Sequence, residues 1–243
     1  MLIFYLEQFI TVITILTSLG TLFGIILPLA KKIFMYHNKI KYRKKTLHLM
    51  NKNVLITCGS FSRKEDIHDV AGLNEVKCIK TVMNLCSTVK AKTYFQDEYA
   101  QTDIDEIHIG GPQNNTTVNT LMADYFEGRF KFIDDTESGV SFGTEGKEKY
   151  TVNSKYGDYA ILTRIIDPKE RKSIHILFGC FELGTVKAIE YFTKHSKEIY
   201  DFMKKCKLEK SNYFFMLHVN NDGRHDPHIG LTDLTEVMFD SVL

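Results

Sequence analysis

Residues Phe9–Ala30 run for 22 positions without a charged side chain, and Lys31 and Lys32 close the run. A helix rises about 1.5 Å per residue, so this stretch covers roughly 33 Å, enough for a hydrocarbon core of about 30 Å. Thr11, Thr14, Thr17, Ser18 and Thr21 interrupt the Ile, Leu, Val and Phe residues. Their hydroxyls can bond back to the helix and are tolerated in lipid. Pro28 lies near the end of the run, where a kink costs little. A cleaved signal peptide needs a basic start and a shorter apolar core. This chain begins Met-Leu-Ile-Phe-Tyr-Leu-Glu, with no basic residue. A buried core helix of this length would carry a polar stripe. The expectation is a retained, single-pass anchor over residues 1–30.

From Lys31 to Lys64 there are ten Lys and Arg and no Asp or Glu. Positive flanks stay on the cytoplasmic side of a membrane. The expected topology is therefore an inner-membrane protein with its C-terminal part cytoplasmic. The basic juxtamembrane segment, residues 31–50, should lie against anionic headgroups of the bilayer. A nucleic-acid arm is the alternative for such a run, and the position beside the anchor favours lipid. The overall charge of +1 hides this asymmetry, because the rest of the chain is mildly acidic. No nucleic-acid footprint is expected there. The five cysteines (Cys58, Cys78, Cys86, Cys180 and Cys206) include no CxxC and read as mostly buried thiols.

Residues 51–243 suit one α/β domain, possible as two small ones. Asn53–Thr57 is a short apolar run that reads as a buried strand opening at Cys58-Gly59-Ser60. Leu73, Val76, Ile79, Val82, Met83 and Cys86 recur at helical spacing, with Asn74 as a cap. Ala91–Phe95 and Glu106–Ile109 are the next strands, and the latter ends at Gly110-Gly111-Pro112. Val118 to Phe126 marks an amphipathic helix capped by Asn115 or Thr116. Between Phe130 and Ile166, short alternating segments separated by Gly, Asp and Asn read as an antiparallel meander. Ser173–Phe178 is a strand ending at Gly179. Two helices follow, and Tyr213–Val219 and Ile229–Phe239 supply closing strands. This order predicts an α/β sandwich with a largely parallel core sheet and the meander as an insertion.

Ligands bind beyond the carboxyl ends of strands in such sheets. Thr57-Cys58-Gly59-Ser60, Gly110-Gly111-Pro112 and Gly179 are three strand ends made of small residues. In Gly110-Gly111-Pro112-Gln113-Asn114-Asn115, the glycines let a ligand approach the backbone, and the helix start behind them offers free N–H groups. A tight turn with a helix cap explains the same residues without a ligand. Gly179-Cys-Phe-Glu-Leu-Gly184-Thr185 has the glycine spacing of a P-loop. Thr185 and Val186 stand where its lysine and hydroxyl belong, which excludes a conventional NTPase but leaves an anion cradle. The dinucleotide fingerprint is also absent.

A strand ending in Gly-Gly-Pro with Asn114 two positions on, the Asp158–Leu162 stretch, and a strand followed by Gly-x4-Gly-Thr together resemble a set of bacterial and archaeal Rossmann-like domains. Members of that set often sit beside membrane segments or signalling modules. The resemblance covers about residues 53–193. It implies a Rossmann-like pocket at Gly110, Gly111, Asn114, Gly179, Gly184 and Thr185, and it transfers no catalytic residue.

The expected ligand site is therefore Thr57, Gly59, Ser60, Gly110, Gly111, Pro112, Asn114, Asn115, Asp158, Gly179, Gly184 and Thr185. Its expected ligand is small, anionic and nucleotide-like. No cofactor, metal or catalytic residue is assigned. Asp222, His225, Asp226 and His228 hold metal-ligating groups in a spacing that matches no standard site. Cys180, Ser60, His108 and His175 have no assigned catalytic partner, and the two histidines alternate with apolar neighbours as core residues do. The expected role is a membrane-anchored sensor or effector in bacterial signalling or antiviral defence, self-associating through a Gly20/Gly24 spacing. A tethered enzyme on a nucleotide-like substrate, using Asp158 or Glu182, and a non-catalytic scaffold are the rivals.

Overall fold

The computed structural model describes residues 2–59, 61–62, 69–70, 73–95, 104–113, 115–126, 129–133, 139–142, 149–150, 157–220 and 230–239. The chain forms two units, Met1–Lys41 and Tyr42–Leu243. The first is part of the helix α1 (Leu2–Leu47), which contains Pro28. Space around Gly20 and Gly24 is open to 4 Å. Among the described residues, no helix is long and apolar enough to cross a membrane. Within α1 the side chains are described continuously from Gly20, and from there the uncharged residues run to Ala30, about 16 Å before Lys31. Part of the longer run Phe9–Ala30 lies outside the described side chains.

The second unit is built on a seven-stranded mixed sheet. Its strands are β1 (Asn53–Cys58), β4 (Lys92–Phe95), β5 (Asp105–Ile109), β9 (Gly157–Asp167), β10 (Lys172–Gly179), β11 (Tyr213–Asn220) and β12 (Thr232–Asp233). Their spatial order is β12-β11-β9-β10-β5-β1-β4. β4, β1, β5 and β10 pair in parallel, and β9 runs antiparallel between β10 and β11. Five strands thus run one way, and β9 and β12 run the other.

Helices cover both faces. α2 (Leu73–Thr88), α4 (Glu182–Lys194) and α5 (Ser196–Lys205) bury Val82, Leu85, Ile189, Phe192 and Met203 on one face, together with Leu47. α3 (Thr116–Phe126) and the short α6 (Thr235–Met238) bury Val118, Met122, Phe126 and Met238 on the other. The alternation along the central strands follows directly. Ala160 and Leu162 of β9 face α4, whereas Ile161 and Ile165 face α3. A strand covered on both sides reads as a continuous apolar run.

The smaller β-structures are a hairpin of β2 (Phe61–Ser62) with β3 (Asp69–Val70), and a separate antiparallel sheet of β6 (Phe130–Ile133), β7 (Gly139–Phe142) and β8 (Lys149–Tyr150). The expected meander is therefore confined to β6–β8. Tyr159–Ile166, expected within it, is a central strand of the main sheet instead, because its side chains are buried on both faces between β10 and β11. The expected closing strand over Ile229–Phe239 is also corrected. Ile229 lies outside the described residues, and among 230–239 only Thr232–Asp233 pairs with β11 before α6 follows. Asp233 Oδ1 accepts the Thr235 N–H and hydroxyl, and Thr235 Oγ1 accepts the Phe214 N–H, so the chain turns away there. Asn115 caps α3 as expected, accepting the Val118 N–H at 3.2 Å. Asn74 lies inside α2 and its Nδ2 donates to Glu182 at 2.7 Å, so it is no cap.

Candidate functional site

The three glycine-bearing strand ends meet at one edge of the sheet. β1, β5 and β10 are adjacent and parallel, with Cys58 beside Ile109 and Ile109 beside Leu177. The ladder continues into the loops, where the Gly59 N–H donates to the Ile109 carbonyl and the Gly110 N–H to the Leu177 carbonyl, each at 3.0 Å. β9 runs the other way, so its first residues, including Asp158, start at this same edge beside Gly179. Gly110 has a φ of 98°, a left-handed conformation that glycine adopts without steric cost. Gly111 and Pro112 are half-buried. Ser60 and Asn114 lie outside the described residues.

The loop from Gly179 to Thr185 closes on itself. The carboxylate of Asp158, 1% exposed, accepts N–H groups from Tyr159 at 2.7 Å, from Phe181 at 3.1 Å and from Gly184. Thr185 Oγ1 accepts the Gly179 N–H at 2.9 Å. The positive end of α4 is thus met by an anion of the chain itself. The glycines permit this closeness. A Cβ on Gly184 would stand 2.3 Å from the Tyr159 carbonyl oxygen, and one on Gly179 would stand 2.3 Å from the Thr185 nitrogen. Burial pushes the Asp158 carboxyl up to about 6, against the opposing pull of the N–H groups of Gly184, Phe181 and Tyr159.

On the opposite face a polar chain runs between β1 and β5. Lys172 Nζ lies 2.9 Å from Glu106 Oε1. Glu106 Oε2 lies 2.8 Å from His108 Nε2, and His108 Nδ1 lies 2.6 Å from Thr57 Oγ1. Burial opposes ionisation of Glu106, yet His108 and Lys172 hold its carboxyl below the usual value. An ionised Glu106 accepts from His108 Nε2–H, which leaves Nδ1 to accept the Thr57 hydroxyl proton. Asn115 Nδ2 in turn donates to Thr57 Oγ1 at 3.4 Å and to the Ile109 carbonyl at 3.3 Å. The result is a carboxylate–imidazole–hydroxyl chain whose hydroxyl end is 3% exposed and lies next to the glycine edge.

Sequence reasoning missed Glu106 and His108 as a unit. The signal was present in their spacing: residues i and i+2 of a strand share a face. It placed no role on Arg164, whereas His175 is the core residue that its alternation with apolar neighbours indicated; both face α4. Arg164 is fully buried, and its guanidinium donates to the carbonyls of Leu208 and Ser211 at 2.8 Å, Glu209 at 3.1 Å and Thr46 at 3.5 Å. It stacks over Tyr213. His175, also fully buried, contacts the Leu47 carbonyl oxygen through Nε2 at 2.7 Å, and burial drives it down to about 3, so it is neutral and donates there. Thr46 Oγ1 donates to the Ser196 carbonyl at 2.8 Å. The last turn of α1 is therefore seated in the second unit, which begins at Tyr42.

Among the described residues, no group of three or more His, Cys, Asp or Glu is placed to hold a metal. Asp222, His225, Asp226 and His228 lie outside the described residues. Cys180 is buried, and burial and the nearby Asp158 raise its thiol well above the usual value, which makes it a poor nucleophile. No protein-family model and no curated protein matches the chain. The fold defines the class: a mixed α/β domain whose glycine-bearing strand ends meet at one edge of its sheet.

Proposed function

We propose that this protein is a membrane-anchored sensor or effector whose Rossmann-like cytoplasmic domain binds a small anionic, nucleotide-like ligand. The observation that carries the reading is the meeting of Gly59, Gly110, Gly179 and Asp158 at one edge of the sheet. Open α/β sheets bind ligands at such edges. Asp158 already occupies the start of α4. An anionic ligand therefore belongs at Gly110, Gly111 and Pro112, before the start of α3, where a phosphate avoids that carboxylate. The uncharged run Phe9–Ala30 and the basic collar after it support an inner-membrane anchor. Ligand binding would alter self-association, and the signalling or antiviral setting is part of this proposal.

β9 and β10 offer a route from ligand to anchor. Each carries one residue at the glycine edge, Asp158 or Gly179, and one that holds the last turn of α1, Arg164 or His175. Calorimetric titration of a chain beginning at Tyr42 against a nucleotide panel tests the reading. Binding that is lost in Gly111→Arg is expected. Absence of binding by every member removes the proposal.

One observation favours the enzyme as a second reading: the Glu106–His108–Thr57 chain orients a hydroxyl toward a base. Under that reading Thr57→Val abolishes turnover of a bound nucleotide while leaving its affinity intact. Under the sensor reading it costs only the stability of a buried hydrogen bond, about 1 kcal/mol in denaturant unfolding.

A further inference from the structure

We propose that a second anion site lies at the opposite edge of the sheet, formed by Lys44, Lys52 and Lys90, and that it holds the phosphate of a bilayer headgroup. The source of the phosphate rests on the anchored reading above. The pocket itself rests on geometry.

The cavity measures about 210 Å³ and brings together three separate segments. Lys44 comes from the end of α1, Lys52 from the turn before β1, and Lys90 from the turn after α2. β1 and β4 begin here, so the pocket lies at the far end of the parallel strands from the glycine edge. No lining residue is acidic. Among the described residues, none of the three ammonium groups pairs with a carboxylate. The nearby Asp105 carboxylate is already engaged, accepting N–H groups from Asn51 and Ser173, each at 2.7 Å. All three lysines are exposed on the rim of this concavity, and an anion bound among like charges turns their mutual repulsion into attraction.

The backbone at Lys90 is fixed by the turn that ends α2. Its φ is 65°, an uncommon conformation for a residue with a side chain. The turn is fixed by N–H donation from Val89 and Ala91 to the Cys86 carbonyl at 3.0 Å and from Lys90 to the Ser87 carbonyl at 3.1 Å. Leu49, Val89 and Ala91 add apolar surface to the same lining. That combination fits a phosphate monoester carrying a short carbon backbone, such as the glycerol phosphate end of a lipid. Charge-assisted contacts from lysine suit this ligand because phosphate accepts from several directions. Lys52 and Lys90 lie beyond the basic collar, and all three lysines share one cavity of the second unit.

The test is lysine acetylation of the full-length protein, read residue by residue by mass spectrometry. One arm uses phosphatidylcholine vesicles, a second uses vesicles containing phosphatidic acid, and a third uses detergent micelles with and without glycerol phosphate. Acetylation of Lys44, Lys52 and Lys90 is expected to slow about tenfold with phosphatidic acid, while exposed Lys169 is unchanged. Slowing by glycerol phosphate in micelles supports the pocket and assigns it a soluble phosphate. Equal rates in every arm overturn the proposal. In Lys52→Gln/Lys90→Gln, Lys44 should lose its protection; retained protection means diffuse attraction to the surface and also overturns it. Failure of the anchored reading is seen separately, as protein that does not float with vesicles of either kind, and the micelle arm still reads the pocket in that case.

Discussion

β9 carries two buried charges six residues apart, and the fold treats them as mirror images. Asp158 is surrounded by backbone N–H groups from Tyr159 of its own strand, Phe181 before α4 and Gly184 in the first turn of that helix. Arg164 is surrounded by backbone carbonyls from the end of α1 and the segment between α5 and β11. Among the described residues, neither is paired with a side chain of opposite charge. Backbone dipoles act as the counter-charge in both cases, which satisfies groups that helix and loop ends would otherwise leave orphaned. The difference lies in what each charge organises. Asp158 ties a loop to the strand edge where a ligand is proposed. Arg164 ties together segments distant in sequence, including the last turn of α1.

That comparison predicts unequal sensitivity. Arg164→Met should have the largest effect, because it leaves several buried carbonyls without a donor. A loss of about 4 kcal/mol is expected in urea unfolding, with faster hydrogen exchange over residues 42–47. If stability falls by less than about 1 kcal/mol, the guanidinium is not the tie described here.

Asp158 should reveal itself through pH. Its carboxyl titrates near 6 in the fold against 3.8 for the free group. A raised carboxyl favours the folded state while it is protonated, so its contribution is full below about pH 4 and is lost as the pH rises through about 6. Relative to Asp158→Asn, the wild type should lose about 3 kcal/mol between pH 3 and pH 8. A constant difference between the two proteins across that range would contradict the burial argument.

Gly179→Ala should cost less, about 2 kcal/mol, measured by thermal unfolding. Its Cβ meets only backbone atoms, the Thr185 nitrogen and Gly184 carbons, which move only with the helix. A neutral result would mean that α4 shifts freely, and the closed loop would then be less rigid than its contacts imply.

Much of the layered architecture was legible because local patterns carried it. The helical spacing of Leu73 to Cys86, the apolar strand at Asn53 and the Asn115 cap all depend on neighbours close in sequence. The convergence of the glycine-ended strands was also readable, since parallel strands joined by helices bring their ends to one edge. The placement of β9 was not readable. Alternating residues indicate a strand but carry no information about which sheet receives it. The Thr57–His108 bond is equally long-range, joining residues 51 apart.

By itself, the sequence determined the apolar run, its basic collar, and the glycine spacing that allows backbone to approach backbone. Tertiary structure alone decided that Asp158 would fill the start of α4 and that Arg164 would hold the end of α1. Both outcomes require chain segments remote in sequence to present their N–H or carbonyl groups to one buried side chain, and only the completed sheet brings those groups within hydrogen-bonding distance.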